Sequence, residues 1–241
     1  MAAERLLTVA IDGPAGAGKS SVAKALARRL GLALVDTGAL YRSVALQAHR
    51  SGIGWEAEKE ASLGGLASAL DVRFEWDGDV NKVYLRGEDV SAAIRTPQSA
   101  EGASKIAALP AVRAGLLELQ RSLASVPPGA VLEGRDIGTV VLPGATAKFF
   151  LTASLETRVR RRHEQLIAAA AAGGEAPPEL ATLMEAEKER DKRDSERAVA
   201  PLAQAEDAYL IADNDLTVDE TVDLMLGQIC RLSPHVSPEP V

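Results

Sequence analysis

Short apolar runs alternate with segments of helical spacing along most of this 241-residue chain. The apolar runs predict five buried strands, at residues 6–11, 32–35, 130–132, 147–151 and 209–212. Helical spacing predicts helices at residues 21–30, 39–50, 98–123 with a break near Pro110, 155–196 with an interruption at 173–178, and 217–232. Alternation of strands and helices indicates an α/β fold in which helices flank a parallel sheet.

Between residues 72 and 90 the pattern changes to alternating apolar and polar positions around Asp77-Gly78 and Asn81. This alternation predicts an antiparallel hairpin or small meander, inserted into the parallel core. We therefore assign residues 63–97 to the insert, and residues 1–62 and 98–241 to the core.

A glycine-rich loop follows the first predicted strand and opens the first predicted helix. Its sequence, GPAGAGKS, fits G-x-x-x-x-G-K-[ST], whereas the spacing of its glycines excludes the dinucleotide fingerprint. Backbone N–H groups of such a loop surround phosphate oxygens, aided by the positive end of the helix. We expect Lys19 to neutralise the β/γ-phosphates and Ser20 to ligate Mg²⁺. The predicted ATP-binding residues are Gly13, Pro14, Ala15, Gly16, Ala17, Gly18, Lys19, Ser20 and Ser21. The alternative is a glycine-rich turn with a chance lysine.

Polar residues follow three predicted strands, as Asp12-Gly13, Asp36-Thr37-Gly38 and Arg135-Asp136. Ligands of open α/β sheets bind beyond the carboxyl ends of the strands, so these residues should line one cleft with the glycine loop. Asp and Gly are also common turn formers, which is the alternative interpretation.

Two basic helices should form a lid of about residues 158–197 that closes over a nucleotide. One helix has a basic face with an acidic residue on it, formed by Arg190, Arg193, Asp194 and Arg197. The other helix carries Arg158, Arg161 and Arg162 at similar spacing. A solvated face laced with ion pairs would give the same pattern.

Absent motifs narrow the reaction class. The sequence has no Asn-Lys-x-Asp motif and no D-x-x-G switch, so a signalling GTPase is disfavoured. No residue stands out as a dedicated general base, which suits an acceptor that is itself a phosphate monoester, already largely deprotonated at neutral pH. Such an enzyme needs positioning and charge neutralisation, and arginines supply both.

Bulk properties limit the partners and the compartment. The formal net charge of −7 argues against general binding to nucleic acid or to anionic membranes. The single cysteine, Cys230, implies neither a disulfide nor a metal site. The apolar run near the start is too short for a signal peptide, and none reaches the ~18 residues that span a bilayer. We expect a cytoplasmic protein, and a monomer.

Six stretches resemble bacterial cytidylate kinases: IDGPAGAGKS, DTGALYR, GEDVSAAIRT, ASKIAALPAVR, EGRDIGTVV and ERDKRDSERAVAPL. They occur in family order and cover most of residues 6–202. The resemblance implies a P-loop NTPase core with a five-stranded parallel sheet, a short helical lid, and an antiparallel insert in the monophosphate-binding region.

The same resemblance implies roles for individual residues. The phosphate of the acceptor would be held by Arg42, Arg135 and Arg197, with Thr37 close by. The cytosine would be surrounded by Ser104, Arg113 and Asp136, and the ribose hydroxyls would be bound by Asp194. The transferring phosphoryl group would be approached by Lys19, Arg135, Arg158 and Arg190. A carboxylate can accept from the cytosine 4-amino group, so the base assignment is chemically sound.

The implied activity is transfer of the γ-phosphoryl group of ATP, with Mg²⁺, to CMP and dCMP in pyrimidine nucleotide metabolism. Small-molecule nucleotides would then be the partners, with no nucleic acid or membrane. Two alternatives stay open at this point. One is a small-metabolite kinase of the shikimate or gluconate type, whose alcohol substrate would need an activating base. The other is a non-catalytic regulator that binds ATP without turnover.

Overall fold

A sheet of parallel strands forms the centre of the molecule. The computed structural model describes residues 6–171, 176–212 and 215–234. Within them, strands β1 to β8 are, in chain order, Leu7–Asp12, Ala33–Asp36, Val72–Asp77, Val80–Leu85, Glu88–Asp89, Gly129–Glu133, Ala147–Thr152 and Tyr209–Ala212. Five of them form a sheet in the order β2-β6-β1-β7-β8, with every neighbouring pair parallel. This confirms the predicted five-stranded parallel sheet.

Helices cover both faces of this sheet. In chain order, α1 to α8 are Lys19–Arg29, Thr37–Arg50, Glu60–Ser68, Pro97–Ile106, Pro110–Ala124, Leu155–Ala171, Leu180–Glu196 and Val218–Leu232. Side chains alternate along the central strand β1: Val9 and Ile11 pack with apolar residues of α1 and α8, whereas Ala10 packs on the opposite face with residues of α5. The predicted interruption at 173–178 lies partly outside the described residues.

The alternating segment forms a separate antiparallel sheet in the order β3-β4-β5, as predicted. Its hairpin turns at Gly78, whose φ of 54° lies in the left-handed region that glycine tolerates. The hairpin reaches the parallel core: Asn81 Nδ2 donates to the carbonyl oxygen of Leu34 at 3.0 Å, and Arg28 pairs with Asp79. The small sheet is therefore anchored beside the end of β2.

Helix α3 was not predicted, because its sequence contains the adjacent residues Gly64 and Gly65, which disfavour helix. Packing explains the glycine: a Cβ at Gly64 would lie 2.8 Å from the Cβ of Ala111, so its absence lets α3 approach α5 closely. Helix α3 crosses residue 63, and the domain bounds given above stay a prediction. None of the helices in the described ranges is long and apolar enough to cross a membrane.

Candidate active site

The glycine loop joins β1 to α1 and approaches neighbouring backbone closely. Gly13, Gly16 and Gly18 have φ values of 145°, 73° and 91°, a region that other residues rarely adopt. A Cβ at Gly13 would collide with the carbonyl oxygen of Leu151, and one at Gly16 would lie 3.0 Å from the Cβ of Arg158. Gly18 caps α1 without a side-chain hydrogen bond. The first N–H groups of the helix therefore have no side-chain partner at this cap, as an anion site requires.

Lys19 is buried under this loop, with 6% of its surface exposed. Its Nζ donates to the carbonyl oxygen of Pro14 at 2.7 Å, across the loop. Burial, together with Arg135 and Arg190, lowers the pKa of Lys19, while Glu133 acts in the opposite direction. A bound phosphate would supply the anion that favours the charged ammonium.

Glu133 ends β6 beside the loop and was not among the candidate residues. It is buried, and burial together with Asp36 raises its pKa, whereas Lys19 and hydrogen bonding with Ser20 lower it. Ser20 is exposed and lines the same cavity as both carboxylates. Hydroxyl and carboxylate oxygens are the ligands that Mg²⁺ prefers, so this set fits the metal of a bound nucleotide. The signal for Glu133 was its place at the end of the strand next to β1.

One cavity lies beside the loop and collects most of the predicted residues. From the loop and the lid come Lys19, Ser20 and Arg190. The predicted monophosphate-site residues are all present: Thr37, Arg42, Ser104, Arg113, Arg135, Asp136, Asp194 and Arg197. Residues distant in sequence thus form one polar cleft at the carboxyl edge of the sheet.

At one end of this cavity, Asp136 is shared by two arginines. Its carboxylate binds Nη2 of Arg113, and its Oδ1 accepts from Nη2 of Arg197 at 3.1 Å. Arg113 also donates to the carbonyl oxygen of Ala107 at 3.2 Å and lies over the ring of Tyr41, 5.7 Å from its centroid. We had expected a carboxylate free to face the base. It is instead paired, although a carboxylate has further acceptor sites.

At the other end the cations are less completely paired. Arg135 Nε donates to Asp194 at 2.8 Å, and Arg42 pairs with Asp36 at 2.6 Å. Burial and the charge of Arg135 lower the pKa of Arg190. The buried Nε atoms of Arg42 and Arg190 have no hydrogen-bond partner among the described residues. Crowded guanidinium groups with spare donors are suited to bind a phosphate.

Two hydroxyl groups in the cavity differ in their availability. Thr37 Oγ1 donates to the carbonyl oxygen of Glu133 at 2.7 Å, which ties the start of α2 to the end of β6. Ser104 Oγ is buried and has no partner among the residues that the structure describes. Ser104 is therefore the hydroxyl with a free donor for a ligand.

Arg158 is the one predicted catalytic residue that does not line this cavity. It is buried against the loop, where Nε donates to the carbonyl oxygen of Ala153 and Nη1 to that of Ala15, both at 3.1 Å. Its Nη2 also binds Asp191 of α7 at 2.6 Å. Its approach to the transferring group stays a prediction.

A second cavity borders the opposite side of the glycine loop. Its lining combines the start of α1 with Arg161 and Gln165 of α6 and with Leu216, Thr217 and Val218 before and at the start of α8. Arg161 belongs to the predicted lid, whereas Gln165, Leu216, Thr217 and Val218 were not predicted as binding residues, since they belong to no motif. The loop and Lys19 thus separate two binding spaces.

A sequence model described as cytidylate kinase matches residues 9–231 of the chain. The chain belongs to the cytidylate kinase family. The cytidylate kinase of Pseudomonas fluorescens (strain Pf0-1) is 45% identical over 223 residues, which cover 92% of this chain and 94% of that protein. The cytidylate kinase of Chromobacterium violaceum is 48% identical over 218 residues, covering 90% and 93%.

A solved structure gives independent support for the fold. An uncharacterized protein from Eubacterium ventriosum ATCC 27560 superposes with a TM-score of 0.50 at 15% identity, covering 92% of this chain and 98% of that one. At this identity the likeness concerns the fold alone.

Proposed function

We propose that this chain is a nucleoside monophosphate kinase that transfers the γ-phosphoryl group of ATP to CMP, giving CDP and ADP. The observation that carries this proposal is the cavity beside Lys19, which combines an arginine cluster with the buried Asp136–Arg113 pair. The cluster suits a phosphate, and the pair suits a base with both donors and an acceptor edge. We extend the proposal to dCMP, which has the same base and phosphate.

The chemical step would depend on placement and charge. The glycine loop would hold the β- and γ-phosphates of ATP, with Lys19 against the transferring group. Arg42, Arg135 and Arg197 would hold the acceptor phosphate in line, and Arg190 would neutralise charge that develops between the two nucleotides. Because the acceptor oxygen is already deprotonated, no side chain has to remove a proton.

Magnesium would be held by Ser20, with Glu133 and Asp36 beside it. When bound with ATP, it supplies positive charge at the β- and γ-phosphate oxygens. The buried Glu133 and the half-buried Asp36 would orient the oxygen ligands around it.

Base recognition would depend on the acceptors and donors at the far end of the cavity. Asp136 would accept from the 4-amino group of cytosine, while Arg113 and the unpaired hydroxyl of Ser104 would donate to its acceptor edge. Asp194, held by Arg135, would accept from the ribose hydroxyls. Uracil has a carbonyl where cytosine has the amino group, so it would face a carboxylate without a proton between them.

The cavity across the loop would take the nucleoside of ATP. It adjoins Gly16, Gly18 and Ser21 and is bounded by α6 and the residues that open α8. We further propose that the enzyme acts as a cytoplasmic monomer on small nucleotides, without nucleic-acid or membrane partners.

A kinase of the shikimate or gluconate type would share the loop, but its acceptor is an alcohol. The present acceptor cavity is instead lined by five arginines, three of which pair with the two buried carboxylates Asp136 and Asp194. This arrangement favours a nucleoside monophosphate over a small alcohol as the acceptor substrate. A non-catalytic regulator would have no use for an arginine-rich space on the acceptor side of Lys19.

A coupled assay of ADP release tests the proposal. It compares CMP, dCMP, UMP, AMP, shikimate and gluconate as acceptors with ATP and Mg²⁺. We expect the highest kcat/KM with CMP or dCMP. Preferential use of shikimate or gluconate would establish the alternative kinase class, and ATP binding without ADP release from any acceptor would establish a regulator.

A further inference from the structure

Asp12 is a buried carboxylate for which the proposed reaction has no role. It is the last residue of β1, directly before the glycine loop, and only 4% of its surface is exposed. Its two oxygens accept hydrogen bonds from consecutive backbone N–H groups, of Ile137 at 2.8 Å and of Gly138 at 2.7 Å. A buried carboxylate that receives two backbone bonds is costly to desolvate but well suited to fix the segment that donates them.

The segment that Asp12 holds is a π-helical turn, Ile137–Val141, which follows Asp136 directly. Such turns are uncommon and often occur at functional sites. The carbonyl oxygen of Asp136 accepts from the N–H groups of Val140 at 2.9 Å and Val141 at 3.2 Å. The turn therefore fixes the backbone of Asp136, and Asp12 fixes the start of the turn.

The backbone of Asp12 itself has independent support. Within the sheet, Asp12 lies beside Phe150 of β7, and Ile11 lies beside both Glu133 and Phe149. The N–H of Gly134 also donates to the carbonyl oxygen of Ile11 at 2.9 Å. Removal of the Asp12 carboxylate should therefore leave the start of the glycine loop in place while releasing the turn beyond Asp136.

We propose that Asp12 is a positioning residue for the acceptor nucleotide, whose carboxylate fixes Arg135 and Asp136 relative to the glycine loop. This inference rests on the function proposed above. It predicts that Asp12 affects the affinity and the choice of acceptor more than the affinity for ATP, because both hydrogen bonds that its carboxylate accepts come from the turn on the acceptor side.

The variant Asp12→Asn tests this assignment. The two N–H groups bond to different oxygens of Asp12, so asparagine keeps the shape but turns an amide nitrogen, which is a donor, towards one of them. We expect KM for CMP to rise about tenfold and the CMP/UMP ratio of kcat/KM to narrow about fivefold, with KM for ATP changed by less than about threefold.

A second variant covers the case in which Asp12→Asn fails to fold. Gly138→Ala places a Cβ 3.1 Å from Lys148 Cδ, a tight approach, and 3.4 Å from Asp12 Oδ2, which is ordinary van der Waals contact, so it crowds the start of the turn mainly through Lys148. We expect the same pattern of change with smaller magnitude. A control variant is Thr8→Val, which removes the hydroxyl that accepts from the N–H of Thr146 at 3.2 Å, near the other end of β1 from the glycine loop. It should lower stability without changing the CMP/UMP ratio.

An unchanged KM for CMP and an unchanged CMP/UMP ratio in both Asp12→Asn and Gly138→Ala would overturn the inference. So would an equal rise in KM for ATP and CMP, because Asp12 would then support the whole cleft. Failure of the proposed function has a different signature, since the parent chain would then turn over no CMP, and that result would overturn both.

Discussion

The substitution Asp136→Asn tests base recognition most sharply. The carboxylate is buried, with 7% of the side chain exposed, and contacts two arginines whose side chains are 7% and 4% exposed. Asparagine preserves the shape but removes the charge. Its amide can accept from the amino group of cytosine or donate to the carbonyl of uracil, so the site should no longer distinguish strongly between the two bases.

The magnitude follows from two contributions. A hydrogen bond to a charged acceptor contributes about 1.5–3 kcal/mol, against about 0.5–1.5 kcal/mol for a neutral one, so CMP should lose about tenfold in kcat/KM. The repulsion between the Asp136 carboxylate and the carbonyl oxygen of uracil disappears, which should raise kcat/KM for UMP by a similar factor. We therefore expect the CMP/UMP ratio to narrow by at least about tenfold.

The assay measures kcat/KM for CMP and UMP side by side, below the melting temperature of the variant. That precaution is needed because removing one partner of a buried ion pair lowers the free energy of unfolding by about 3–5 kcal/mol when no acceptor remains for the other partner. Asp194→Asn is the matched control, since Asp194 is also a carboxylate paired with an arginine in the same cavity. This control should lower kcat/KM for both CMP and UMP and leave the CMP/UMP ratio unchanged. An unchanged ratio in Asp136→Asn would refute the assignment.

Three further predictions concern the charged groups around the loop. Lys19→Ala should lower kcat more than about 100-fold with an unchanged Kd for CMP, because the lysine charge acts mainly on the transferring phosphoryl group. A variant that keeps most of the parent kcat in a steady-state assay would contradict this. Arg42→Ala and Arg197→Ala should each lower kcat/KM for CMP by about tenfold or more, because each removes a charge-assisted hydrogen-bond partner of the acceptor phosphate. Kinetics like those of the parent chain would indicate that these arginines are solvated and do not bind the phosphate. Burial raises the pKa of Asp12 from 3.8 to about 6, despite the two backbone hydrogen bonds that oppose the shift. Its stabilising contribution, about 3 kcal/mol, is therefore fully present below pH 3.8 and is lost as the pH rises through 6. In urea unfolding, the stability difference between the parent and Asp12→Asn should shrink over that pH range, and a constant difference would argue against this pKa.

The sequence predicted the parallel core because its strands are short apolar runs with polar residues at their carboxyl ends. The same rule predicted that Thr37, Arg135 and Asp136 would meet beside the glycine loop, although they are separated by about a hundred residues. Hydrophobic pattern and strand order therefore determine where the cleft forms.

Which charged side chains pair with one another within the cleft could not be predicted in the same way. Arg113 and Arg197 were expected on different parts of the nucleotide, yet both contact Asp136. Arg158 is expected to approach the transferring phosphoryl group, and the sequence did not indicate that it would also pair with Asp191 and with the backbone carbonyl of Ala15. Such choices depend on rotamers and on competing partners across helices, which spacing along one helix does not specify.

The role inferred for Asp12 illustrates the same limit. Its position before Gly13 suggested a cleft residue, but its partners are N–H groups of a π-helical turn that no sequence pattern indicated. Only the three-dimensional arrangement connects the end of β1 to the base-recognition residues.

Phosphoryl transfer to CMP in the cleft beside Lys19 underlies every role proposed for the cavity residues. The most direct measurement incubates the chain with γ-³²P-labelled ATP, Mg²⁺ and CMP and separates the nucleotides, with the Lys19→Ala variant in parallel. The account predicts label in CDP for the parent chain and almost none for the variant. Label found only in inorganic phosphate, or equal labelling by both proteins, would contradict it.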